Sequence, residues 1–259
     1  MFKSTALLLA SSCLAAASLN NAVASPRPAL LRLRGGEDEQ PKTGKVWVTS
    51  TFTRDHVRFM SELLHYLGAY VGPRALSPKT IEAIMVTMNS INTCPYCTGL
   101  HGQLARMADT KVDSKAPEVM YATTFALEAG RGAKVRAAYD KLASQIGAGK
   151  ALSARALCWA LLWGKTTGNS INSVRGKLVS LQLWKLTPFD LLMFVYYGPL
   201  FLVIGILNAG LTVSPKVPAW VSAALGVVLW VPQALHLFVA GIISLALRVI
   251  AMPVVGLSL

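Results

Sequence analysis

From Arg54 to about Val174 apolar residues recur at three- and four-residue spacing, which predicts helices and no strands. Val57, Met60, Leu64 and Leu67 give the inward stripe of a first helix, ended by Gly72 and Pro73. Ser77 followed by Pro78 starts a second, with a capping hydroxyl before a proline in the first turn. Its apolar face is Ile81, Ile84, Met85 and Met88, and the polar run Asn89, Ser90, Asn92 and Thr93 breaks it. A third helix begins at Cys94, because proline suits the first helical position and the residue before it avoids the helical region. Leu100, Leu104 and Met107 continue that helix. Pro117 opens a fourth through Glu128, and Gly130 and Gly132 punctuate. Lys134 to Ile146 is amphipathic, with Val135, Tyr139, Leu142 and Ile146 inward, and Ser153 caps a last helix through Trp163. No hairpin signal or internal repeat is visible. The fold class expected is all-α, a helical bundle over residues 47–178.

Both ends of the chain depart from this pattern. Lys3 precedes an uncharged run, Ser4 to Ala24, whose apolar core is Ala6 to Ala17. Ala22, Val23 and Ala24 fit a small-x-small cleavage site, so residues 1–24 read as a secretory signal peptide. Residues 25–46, with arginines before a Gly- and acid-containing stretch, read as a disordered or transit-like leader, with a plastid as one destination. Residues 179–259 form a hydrophobic tail. Leu191 to Pro215 and Val217 to Leu247 contain no charge, so membrane helices are expected near 191–213 and 218–247. Arg175, Lys177 and Lys185 precede the first apolar run, which puts the helical domain on the inner side. The protein is therefore expected at a membrane.

Composition agrees with this division. The chain has 259 residues, of which 53% are hydrophobic and only 14% charged, below the roughly one quarter of a typical soluble protein. The net charge of +13 is spread along the chain, without a Lys/Arg block interleaved with aromatics. That argues against nucleic acid as a partner and for an anionic membrane surface.

The chemistry lies in a short segment. Of four cysteines, Cys13 is in the N-terminal run and Cys158 falls in a helical apolar pattern as a core residue. Cys94 and Cys97 remain as a Cys-Pro-Tyr-Cys pair, too close to staple a fold, which leaves redox or metal chemistry. With Cys94 as the cap, Cys97 sits in the first helical turn, where unpaired N–H groups and the helix dipole favour a thiolate. His101, four residues on, shares its face. It can take the thiol proton, and Glu82 on the preceding helix can orient the imidazole. Two other readings stay open. A zinc site would need His56 and His65 to converge on the pair. A glutaredoxin-like fold would need a strand just before the cysteines, where the sequence is helical.

The run of Glu82, an Asn/Ser-rich turn, Cys94, Cys97 and His101 resembles the signature of the alkylhydroperoxidase D-like group of the carboxymuconolactone decarboxylase superfamily. Tyr96 stands where the best-known members carry a second histidine. The resemblance implies an all-helical homo-oligomer acting as a peroxiredoxin-type hydroperoxidase or thiol–disulfide oxidoreductase in antioxidant defence. Carried over, Cys97 attacks the hydroperoxide, Cys94 resolves the sulfenic acid, and Glu82 and His101 relay protons. The partners implied are a hydroperoxide substrate and an external dithiol, thioredoxin-like or lipoyl. No metal or organic cofactor is required. The alternative is a non-catalytic, membrane-anchored assembly protein whose cysteine pair is structural.

Overall fold

The structure is a computed structural model that describes residues 49–212 except Thr93, together with scattered positions between 218 and 239. The signal peptide and leader expected over residues 1–46 lie outside the described residues, as does most of the second apolar run. Every regular element among the described residues is a helix: α1 (Thr49–Gly68), α2 (Pro78–Ile91), α3 (Pro95–Met107), α4 (Pro117–Leu127), α5 (Gly132–Ile146), α6 (Ala148–Val179), a 3-10 turn (Leu183–Lys185) and α7 (Pro188–Thr212). The all-α expectation holds.

Local signals set most boundaries. Ser77 Oγ accepts the Thr80 N–H at 3.0 Å and Pro78 follows as the first helical residue of α2. Pro95 and Pro117 likewise stand first in α3 and α4, the latter without a side-chain cap. Gly147, at φ +86°, separates α5 from α6 in a conformation that side chains disfavour. Three expectations are corrected. Asn89 and Ser90 do not break α2 but form its last turn, with Asn92 as the cap. Ser153 is not a cap; it lies buried inside α6, which runs unbroken for 32 residues past Gly164 and Gly168.

The third correction concerns the phase of α1. Leu64, placed inward by the apolar stripe, is 79% exposed, and the buried positions are His56, Phe59, Glu62, Tyr66 and Ala69. Polar residues occupy this face because each finds a partner on α6 or α7. His56 Nε2 shares a hydrogen bond with Tyr197 Oη at 2.6 Å and faces the Trp163 Nε1 donor at 3.4 Å. Glu62 accepts from Arg155 Nη2 at 3.0 Å. A buried polar group is tolerated only when bonded, and hydropathy alone does not reveal such partners.

α6 is the central strut: α1, α2, α3, α4, α5 and α7 all pack on it. The core contains Phe59, Ile84, Met88, Tyr121, Phe125, Leu157 and Trp163. Phe125 meets Trp159 edge to face at 5.1 Å, an arrangement worth about 1 kcal/mol beyond the area buried. α7 is long and apolar enough to cross a membrane, and the apolar window within it is only 22% buried. It lies along α3 and α6, with Met193, Tyr197, Leu200 and Phe201 turned inward and Val195 and Ile206 outward. Arg106 at the end of α3 donates to the Leu211 carbonyl at 2.7 Å and ties down the end of α7.

Candidate active site

The start of α3 carries the cysteine pair. Cys94 is the N-cap residue, in extended backbone, and its Sγ accepts the Cys97 N–H at 3.5 Å. Cys97 Sγ donates to Cys94 Sγ at 2.9 Å, so the two are free thiols in contact. Only 1% of Cys94 is exposed, against 9% of Cys97. Cys97, and not Cys94, lines a cavity of about 50 Å³.

The thiol shifts within the pair run opposite to the sequence expectation, which made Cys97 the more acidic sulfur. The S–H of Cys97 pointing at Cys94 pulls the Cys94 thiol below its ordinary value, helped by backbone N–H groups of Cys97 and Tyr96 and by the nearby Lys165 cation. Cys97 is held well above its ordinary value because its proton is engaged by Cys94 and because it is buried. The reason is geometric. The cap position, not the third residue of the first turn, is where the free N–H groups of a helix converge.

The imidazole and the carboxylate come together as the spacing predicted. His101 Nδ1 and Glu82 Oε2 are 3.1 Å apart, with Glu82 2% exposed on α2 and His101 15% exposed on α3. His101 and Cys97, one turn apart, line the same cavity. Its other walls are mostly apolar: Tyr66 from α1, Met85 from α2, Trp163 from α6, and Leu200, Phe201 and Ile204 from α7. Tyr96, half-buried, also lines it and meets Phe201 edge to face at 5.2 Å. Burial, with hydrogen bonding to Tyr70 partly offsetting it, pushes the Tyr66 hydroxyl up to about 12, so it is a neutral donor in this wall.

Several residues escaped sequence reasoning. Lys165, 4% exposed, donates to Asn92 Oδ1 and brings the positive charge felt by both sulfurs. Gly168 on α6 leaves room for the Cys94 sulfur, and Gly164 lies beside that of Cys97. A Cβ on Gly168 would stand 2.8 Å from Cys94 Sγ and 2.9 Å from Phe201 Cε1, and one on Gly164 would be 3.8 Å from Cys97 Sγ. A glycine pair four apart facing a cysteine pair three apart is a pattern only the packed helices reveal. His56 and His65 do not join the cysteines. His56 is bonded to Tyr197 and Trp163, and His65 Nδ1 lies 3.2 Å from Arg74 Nη1. Among the described residues no group of three or more His, Cys, Asp or Glu side chains could hold a metal. Cys158 is buried, which raises its thiol, and it packs in the core as expected.

The site is thus a thiol pair at a helix start beside a carboxylate-held imidazole, in an all-helical setting. Residues 55–140 match the Carboxymuconolactone decarboxylase family model, which agrees with the resemblance read from the cysteine segment. Neither the curated proteins nor the solved structures yielded a match. The matched segment carries Glu82, Cys94, Cys97 and His101. The α6 and α7 walls, with Lys165, Gly168 and Phe201, lie beyond it.

Proposed function

We propose that this domain is an alkylhydroperoxidase D-like, thiol-dependent peroxidase that reduces hydroperoxides through Cys97 and Cys94. The observation that carries this reading is that Cys97 and His101 line one small apolar cavity while Cys94 lies sealed behind, in contact with the Cys97 sulfur. About 50 Å³ holds a few water-sized groups. A peroxide group fits, and any longer body must extend between the apolar side chains at the mouth.

The pair shares one proton. Its shift from Cys97 to Cys94 leaves a thiolate facing the cavity, which attacks the O–O bond and becomes a sulfenic acid. The departing alkoxide takes a proton through His101, held by Glu82. Cys94 then attacks the Cys97 sulfur, hydroxide leaves as water with a second proton, and a disulfide forms. In sum, the thiol–thiolate pair, one hydroperoxide and one proton delivered through His101 give a disulfide, an alcohol and water.

The asymmetry of the pair suits the return step. An external dithiol, thioredoxin-like or lipoyl, reaches the cavity-facing Cys97 sulfur and expels Cys94. A thiol held below its ordinary pKa leaves faster, and Cys94 is that thiol. Substrates with an apolar body, lipid hydroperoxides included, suit the Leu200, Phe201 and Ile204 wall and an anchorage at a membrane through α7. The test is the rate of sulfenic acid formation with a panel of hydroperoxides in wild type and Cys97→Ser. Turnover that survives Cys97→Ser removes the assignment.

A further inference from the structure

A second cleft lies on the other side of α6, walled by α1, α4, α5 and α6, with a volume of about 560 Å³. That is within the ~300–1,000 Å³ of small-molecule sites and much larger than the thiol cavity. Four arginines line it, Arg58, Arg131, Arg136 and Arg155, against one acid, Asp140. Its floor is aromatic. The guanidinium of Arg58 lies 5.1 Å from the centre of the Trp159 ring, and that of Arg155 lies 5.2 Å from the centre of Tyr139. We propose that this cleft binds a small organic anion, a carboxylate or phosphate monoester with a flat aromatic body.

Three features beyond the arginine count point to a ligand. Tyr121 is 2% exposed and lines the cleft, yet its hydroxyl has no hydrogen-bond partner. Arg155 Nε is likewise buried without a partner, although the same guanidinium bonds Glu62 through Nη2. Unpartnered buried donors carry a desolvation penalty, and an oxyanion in the cleft would accept from them.

The second feature is the start of α5. Its cap residue Arg131 makes no side-chain cap hydrogen bond, at the start of a 15-residue helix beside the cleft. A helix start favours an anion through its first N–H groups and its dipole. The third is how the loop is pressed against the aromatic floor. Gly130, at φ +74°, sits so close that a Cβ there would fall 2.6 Å from Phe125 Cζ and 3.0 Å from Trp159. The Gly130–Gly132 turn thereby brings the helix start and the rings together. Guanidinium groups stacked on aromatic faces are suited to a planar oxyanion bidentately, and the half-buried Tyr139 ring suits a flat body.

The experiment is calorimetric titration of the purified full chain in detergent with phenyl phosphate, benzoate, inorganic phosphate and benzyl alcohol. Phenyl phosphate or benzoate is expected to bind, with benzyl alcohol weaker by about tenfold or more, the worth of one charge-assisted hydrogen bond. Arg136→Gln and Tyr121→Phe are each expected to weaken phenyl phosphate by about tenfold. Both should leave the melting temperature and hydroperoxide turnover unchanged. Arg136 is exposed, and Tyr121→Phe deletes only an unbonded hydroxyl, so folding is preserved. No heat from either aromatic anion would overturn the proposal. So would equal affinity for benzyl alcohol, inorganic phosphate binding as tightly as phenyl phosphate, or unchanged affinity in both variants. Failure here leaves the peroxidase reading intact, since no cleft residue named above touches the cysteine cavity.

Discussion

Cys97 Sγ stands 2.9 Å from Cys94 Sγ as the donor of that contact, so the sealed sulfur is held below its ordinary pKa and the cavity-facing sulfur above it. The two thiols therefore have separate tasks before any substrate arrives. One is accessible; the other is stabilised as an anion and as a leaving group.

Removing the donor should undo that stabilisation. In Cys97→Ala the Cys94 pKa is expected to rise, read from thiolate absorbance against pH. The sign for stability follows. Cys94 is depressed in the fold, so the folded state binds fewer protons than the unfolded one between the depressed value and the unfolded thiol value of ~8.5. Its contribution is lost as pH falls through the folded pKa. The stability gap between wild type and Cys94→Ala should widen as pH climbs through that window. A gap that is flat with pH would show Cys94 to be an ordinary thiol.

Glu82 is expected to act through His101. Glu82→Gln keeps the volume and a hydrogen-bond acceptor at the 2% exposed position but deletes the charge. Sulfenic acid formation at Cys97 should slow by about 10²-fold, the lower range for a lost acid–base relay. His101→Ala should slow it similarly, and the double variant little further, because residues that act as one unit are not additive. Multiplying losses in the double variant would separate the two residues.

Two glycines on α6 make a matched pair. Gly176→Ala meets nothing within 4 Å and should stabilise by up to about 1 kcal/mol through helix propensity. Gly168→Ala forces a Cβ to 2.8 Å from Cys94 Sγ. Overpacking of about 1–3 kcal/mol should outweigh the same propensity gain. Urea unfolding of both variants tests this; equal stabilisation would mean that Gly168 is not packed on the sulfur.

Ile204 lines the cavity from α7 and is half-buried. Ile204→Ala should widen the cavity mouth and raise turnover of cumene hydroperoxide relative to hydrogen peroxide, while the hydrogen peroxide rate stays the same. An unchanged ratio would take α7 out of substrate selection.

Much of this molecule is readable along the chain. Prolines 78, 95 and 117 each open a helix where the local rule places them. The spacing of Glu82, Cys94, Cys97 and His101 also brings the carboxylate to the imidazole and the imidazole to the cavity that Cys97 lines. α1 went wrong for an identifiable reason. Its buried face includes His56 and Glu62, whose partners Tyr197, Trp163 and Arg155 lie about a hundred residues or more away.

The sequence by itself determined the helical class, most helix starts and the chemical parts of the site, because capping, proline geometry and i, i+4 spacing act within a few residues. Only the tertiary structure decided which thiol is shifted down and which up, that Lys165 stands behind the pair, that Gly168 makes room for it, and that α7 walls the cavity. Those depend on which helix faces arrive at one point. Burial, a shared proton and a Coulomb field act between residues near in space, whatever their separation along the chain.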